Sequence, residues 1–150
     1  MSTNSVDSGT IAFLNSTGAE ASASSPTVPI YVPTTIIVAG NPVVSSLSSP
    51  QVTAVAYTKD GQNEIRVYYI GGDGFLHELC NSNGAAEWTI GSLDNIMAVA
   101  DPKAPLSASV SLTSGQLKLY YSRADRSFTW CTWVEVGAQA WSSREINIKW

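Results

Sequence analysis

Gln51-Val-Thr-Ala-Val-Ala-Tyr57, Glu64-Ile-Arg-Val-Tyr-Tyr-Ile70 and Phe75-Leu-His-Glu-Leu-Cys80 are three short runs rich in β-branched and aromatic residues, each cut from the next by a turn. Lys59-Asp-Gly-Gln62 joins the first to the second, and Gly71-Gly-Asp-Gly74 joins the second to the third. Asp-Gly and Gly-Gly supply the positive φ that tight hairpin turns demand, so the runs are expected to pair antiparallel. A polar turn over residues 81–86 follows, and Glu87-Trp-Thr-Ile90 is expected as a fourth, outer strand. No window keeps apolar residues at helical spacing with caps at both ends, which predicts an all-β chain.

The meander then repeats. Pro105–Leu112, Gln116–Ser122, Ser127–Trp133 and Ala140–Ile146 answer the four strands in order. Tyr68-Tyr69 and Tyr120-Tyr121 stand 52 residues apart, Cys80 and Cys131 stand 51 apart, and Trp88 and Trp141 stand 53 apart. Three landmarks in one order at nearly one period identify an internal repeat. Four strands in about 50 residues is the size of a β-propeller blade, and a closed propeller needs about four blades or more. Two or three blades leave apolar faces uncovered, so the ring is expected to be completed by other copies of the chain, as a trimer or a dimer. A single β-sandwich is the alternative fold on the strand count alone. The division expected is 1–49 as an N-terminal segment (a worn blade or an arm), 50–100 as one blade and 101–150 as a degenerate second.

The N-terminal stretch differs in composition. Residues 1–50 carry only Asp7 and Glu20 as charges, yet Thr10–Leu14, Val28–Val32 and Thr34–Ala39 read as strands around a polar loop, Ser16–Ser25. Across the 150 residues, hydrophobic side chains make up 44% and charged ones 13%, with a net charge of −4. Lys and Arg total 8 and none precedes Lys59, which argues against nucleic acid and anionic membranes as partners. No apolar run approaches the roughly 20 residues of a spanning helix. The first residues lack the basic and apolar parts of a secretion signal, so a cytoplasmic or non-classically secreted protein is expected.

Few residues carry chemistry. His77 is the single histidine and reads as a half-exposed strand residue; no Gly-x-Ser-x-Gly elbow offers it a serine partner. Gly71–Gly74 lacks the Lys-Ser/Thr ending of a phosphate loop. Cys80 and Cys131, at matching repeat positions, suit small buried hydrophobes rather than a disulfide. Asn15-Ser-Thr17 matches a glycosylation pattern and is expected to be idle. No cofactor, no metal and no enzyme activity are expected, a glycosidase being the remote alternative. Arg66 and Glu78 stand out, because each interrupts an apolar strand and the hairpin between them brings both to one face. Such a pair is either a cross-strand ion pair or a donor fork beside an acceptor, the combination that sugar hydroxyls need.

Ile65-Arg-Val-Tyr-Tyr69, Asp73-Gly74, Glu78-Leu-Cys80 and Trp88-Thr-Ile-Gly91 together resemble the blade motif of the fungal and bacterial fucose-binding lectins. The resemblance covers roughly residues 50–146 and is good in the first repeat. It implies a six-bladed propeller with sugar sites between blades and short members that oligomerise to close the ring. It also implies Arg66 as bidentate donor, Glu78 as acceptor, and Trp88, Trp133 or Trp141 as the platform against the apolar face of the sugar. The second repeat departs from the motif, with Lys118 where the arginine belongs and Thr129 where the glutamate belongs. Lysine lacks the guanidinium fork and threonine is a poor substitute for a carboxylate, so at most one full site per chain is expected. The expected partners are fucosylated glycans, bound without metal and gaining strength from multivalency. The alternative function is a structural or protein-interaction propeller in which Arg66 and Glu78 are only an ion pair.

Overall fold

The computed structural model describes residues 9–16, 31–46, 50–123 and 126–146. The loop expected over Ser16–Ser25 and the start of the strand expected at Val28 fall largely outside them, as does the end of the Asn15–Thr17 pattern. Twelve strands and one short 3-10 helix make up the described chain. Two four-stranded antiparallel sheets account for most of it, each an open meander with its strands side by side in chain order. The first is β5 (Val52–Lys59), β6 (Gln62–Ile70), β7 (Leu76–Ser82) and β8 (Thr89–Ile90); the second is β9 (Ser107–Ser111), β10 (Gln116–Arg123), β11 (Arg126–Glu135) and β12 (Ser142–Ile146). Neither sheet closes on itself. The architecture is all-β and consistent with two blades of an incomplete propeller.

The turns follow their residues. Asp60-Gly61 between β5 and β6, and Asn83-Gly84 after β7, each have positive φ at both residues, the geometry of the two-residue primed turns whose twist matches a hairpin. The Gly71–Gly74 link is built differently: only Gly74 has positive φ. There the Gly74 N–H donates to the Gly71 carbonyl, and the Asp73 carboxylate accepts the Phe75 N–H. A side-chain acceptor thus does part of what a second left-handed residue would have done.

Each blade sends alternate side chains to opposite faces. From the first blade, Tyr68 and Ile70 join Leu117, Leu119, Tyr121, Val134 and Trp141 of the second in one buried cluster, so the blades stack face to face. The other face of the first blade presents Val67, Leu79 and Trp88, and these are covered by Ile11, Ile36 and Val43 from the N-terminal strands. Burial on both faces explains why β6 reads as a nearly unbroken apolar run at its end.

The N-terminal strands are β1 (Ala12–Ser16), β2 (Tyr31–Thr35), β3 (Ile37–Val38) and β4 (Asn41–Pro42). Their backbones meet in a triangle. Ile11 N–H donates to Val43 at 2.9 Å, Val43 N–H to Ile36 at 3.0 Å, and Ile36 N–H to Ile11 at 2.9 Å. Three buried aliphatic side chains at the corners therefore leave no unpaired backbone donor there. The unit is tied to the first blade by Ser46 N–H donating to the Ile70 carbonyl at 2.7 Å.

Candidate functional site

The register of β6 against β7 sets Tyr68 opposite Glu78 and Arg66 opposite Cys80. Arg66 and Glu78 are therefore diagonal neighbours on one face, the face turned toward the second blade. The Arg66 Nε lies 3.8 Å from Glu78 Oε1, and its Nη2 lies 2.9 Å from Glu64 Oε2. Two carboxylates thus flank the guanidinium, the nearer being the residue two positions earlier on the same strand.

Glu78 is 3% exposed, an unusual setting for a carboxylate, and its partners account for it. The Tyr68 hydroxyl donates to Oε1 at 3.3 Å and the Leu93 N–H donates to Oε2 at 3.2 Å. Leu93 belongs to the 3-10 helix Ser92–Ile96, whose preceding residue, Gly91, lies directly against the Glu78 side chain. A Cβ at position 91 would overlap the carboxylate; φ is −86° there, so close approach and not backbone freedom demands the glycine. Asp94 of the same helix accepts the Glu78 N–H at 2.9 Å through Oδ1 and meets His77 Nδ1 at 2.6 Å through Oδ2. Asp73 takes the other imidazole nitrogen at 3.1 Å, so His77 clamps the hairpin link to the helix that seats Glu78.

Burial pushes the Glu78 carboxyl above its ordinary range, against the pull of the Leu93 N–H, Arg66 and the Tyr68 hydroxyl. Burial also opposes the charge on Arg66, but the surrounding Cys80, Tyr57, Glu64 and Glu78 outweigh it and its pKa is raised. The Cys80 thiol beside them is pushed up to about 12, chiefly by burial, and is no nucleophile. His77 is raised by its hydrogen bond to Asp94, against burial, and further by Asp73.

A cavity of about 230 Å³ opens between the blades over this pair. Tyr57, Arg66, Glu78, Cys80 and Ile90–Ser92 line it from the first blade; Leu117, Val134 and residues 137–139 line it from the second. The space is below the roughly 300 Å³ at which drug-sized pockets begin, which suits one small polar ligand. Lys59 fixes the far wall by donating to the Val136 carbonyl at 3.0 Å.

The three tryptophans expected as a platform go elsewhere. Trp88 is buried against the N-terminal strands, 5.8 Å from the Phe13 ring. Trp133 stands on the outer face of the second blade, under the Arg144 guanidinium at 5.4 Å. Trp141 lies behind the cavity, edge-on to Tyr68 at 6.1 Å, with its Nε1 donating to Ser92 Oγ at 3.0 Å. The aromatic that does line the cavity is Tyr57. Gly91 closes the blade motif Trp88–Gly91, whereas residues 92–94 and the turn at 137–139 join the site without a strand pattern to mark them; Asp94, three residues after Gly91, is the turn-forming signal there.

Among the described residues, no cluster of three or more His, Cys, Asp or Glu is arranged to hold a metal, and no helix is long and apolar enough to cross a membrane. No protein-family model matches the sequence, and neither does any curated protein. The chain is similar in part to solved structures, two of which are these. A fucose lectin from Kordia zhangzhouensis in complex with methyl-fucoside is 22% identical, with 62% of each chain covered and a TM-score of 0.48. A triple arginine-to-alanine mutant of AofleA from Arthrobotrys oligospora is also 22% identical, over 76% of this chain, with a TM-score of 0.56. The matched part spans 62% of the first protein and 31% of the second. At this distance the likeness to AofleA bears on architecture alone: the matched 76% of this chain shares its fold with 31% of that protein.

Proposed function

We propose that the chain is a carbohydrate-binding lectin that takes fucose, as a free glycoside or at the end of a glycan, in the cavity between its two blades. One observation carries the reading: Arg66 and the buried Glu78 sit together over a small inter-blade cavity whose second-blade wall includes the apolar pair Leu117 and Val134 beside the turn at 137–139. The guanidinium offers several donors and the carboxylate accepts, so vicinal hydroxyls and a ring oxygen find complementary partners. The aliphatic wall and Ile90 take the part of a platform for the apolar face and methyl group. The blade motif in the sequence supports the same assignment. Binding needs no chemistry and no metal. One shallow site is weak, so avidity comes from a ring of copies, each adding its own site.

A second reading has one observation in its favour. Arg66 is closer to Glu64 than to Glu78, as it would be in a purely structural ion-pair network on an interaction scaffold. Calorimetric titration with methyl α-L-fucoside, beside the galactoside and mannoside, separates the two. The lectin reading expects fucoside binding that Arg66→Ala abolishes, with about one site per chain. A flat trace for all three sugars from folded protein rejects it in favour of the scaffold.

A further inference from the structure

We propose that the outer face of the second blade is a separate binding site for a saccharide that carries a carboxylate, of the uronic or sialic acid kind. The register of β10, β11 and β12 puts Tyr120, Cys131 and Arg144 in one row across the sheet and Lys118, Trp133 and Ser142 in the next. Pleat alternation turns both rows away from the first blade, and Lys118, Tyr120, Cys131, Trp133 and Arg144 line a cavity of about 610 Å³.

Comparison with the first blade shows what has changed. One repeat of 52 residues carries Glu64 to Gln116 and Arg66 to Lys118; the cysteine spacing of 51 carries Glu78 to Thr129. Both carboxylates that flank Arg66 are therefore neutral here, while the cation is kept. A second cation is added: Arg144 stands opposite Cys131, where the first blade has Thr89 opposite Cys80. Among the described residues neither Lys118 nor Arg144 forms an ion pair. Glu145, the one acidic group at this cavity among the described residues, stands opposite Trp130 in the row whose side chains alternate toward the other face. Burial raises the Cys131 thiol between them, and both cations, Lys118 and Arg144, are close enough to pull against that rise. In the first blade the protein supplies a cationic donor and carboxylate acceptors together; here it holds two cationic donors without a carboxylate between them, and the ligand must bring the anion. A guanidinium spread on an indole presents its edge N–H groups for a bidentate carboxylate, and the exposed part of Trp133 offers a face for the sugar ring.

The site is independent of what the inter-blade cavity holds, and one experiment separates them. The full chain is titrated with methyl β-D-glucuronide by amide and indole NMR, beside methyl β-D-glucoside and acetate as controls. Shifts confined to Lys118, Trp133 and Arg144, with affinity at least about tenfold above either control and falling with added salt, are the expected result. Arg144→Gln and Lys118→Met should each remove most of the affinity, Arg144→Lys should restore part of it, and Arg66→Ala should leave it unchanged. Circular dichroism confirms that the variants, all at partly exposed side chains, remain folded. Glucuronide no better than glucoside, acetate as good as glucuronide, or binding lost in Arg66→Ala but kept in Arg144→Gln would each overturn the proposal. So would a wild-type oligomer that covers this face and binds no glucuronide.

Discussion

Gly91→Ala is the substitution through which the structure makes its sharpest demand. The added methyl falls on the Oε2, Cδ and Cγ atoms of Glu78, and the glycine itself is in ordinary extended geometry, so nothing but that contact is at stake. Glu78 cannot swing away without loosening the bonds from Tyr68 and from the Leu93 N–H, because both converge on a carboxylate that is almost wholly buried. Hydrogen bonds to charged groups are worth about 1.5–3 kcal/mol each, and overpacking in a filled site costs about 1–3 kcal/mol. Partial relaxation of the 3-10 helix keeps the total near about 3 kcal/mol. In a chain of this size that lowers Tm by about 6–12 °C. Thermal unfolding of four proteins tests it: wild type, Gly91→Ala, Glu78→Ala and the double variant. The reasoning requires Gly91→Ala to cost less than about 1 kcal/mol once Glu78 is already alanine, a coupling of about 2 kcal/mol. The same cost in both backgrounds would refute it, since the strain would then lie in the helix backbone and not against the carboxylate.

Other perturbations probe the frame around the site. Lys59→Met removes the bond to the Val136 carbonyl; faster amide exchange at residues 137–139 is expected, with less than about 1.5 kcal/mol lost, and unchanged exchange there would show that the turn holds itself. His77 is held above its ordinary pKa, so the folded state binds the proton more tightly; the stabilisation is full below about pH 6.5 and fades as pH rises through the raised value. His77→Gln should accordingly cost more in urea unfolding at about pH 5.5 than at about pH 8.5, and equal costs would contradict the clamp. Among the described residues the buried Trp130 Nε1 has no hydrogen-bond partner, so Trp130→Phe should change stability by less than about 1 kcal/mol; a loss above about 2 kcal/mol would contradict an idle indole N–H.

What was legible in the sequence was what period and parity control. A repeat near 52 residues fixes two meanders, and the strand period of two puts Arg66 and Glu78 on one face once the intervening link is recognised. The tryptophans depended on more. Trp88 comes after the turn that begins at Asn83-Gly84, and the pairing of Leu79 with Ile90 decides which face it takes. A slip of one residue would have sent it to the opposite side. Trp133 shares its face with Cys131, and Cys131 repeats Cys80, which faces the next blade in order; the repeat itself thus carries Trp133 away from the cavity between the two blades. The 3-10 helix left almost no periodic trace because one turn is too short to show any. Its role follows from a buried carboxylate needing donors that a strand ladder, with its own N–H groups already spent, does not supply.

The packing rule that joins the two blades also reaches the N-terminal strands. Trp141 meets Tyr68 of the unit before it, and Trp88 meets Phe13 of the unit before it, across 73 and 75 residues of chain. Each landmark tryptophan is therefore covered by an aromatic from the preceding unit, whether or not that unit is a four-stranded blade. Applied once more, the rule leaves the face of Lys118 and Trp133 as the one that no later unit of the described chain covers. A surface of this kind is directional: a copy that covers it does so with a different surface of its own, the heterologous geometry from which rings are built. In the proposed ring the carboxylate site would then lie between copies. Assembly and acidic-sugar binding would be linked, each changing the apparent strength of the other by the same factor. Sedimentation with and without methyl β-D-glucuronide would register that linkage as a shift in subunit association, whereas an open, independent site would leave association untouched.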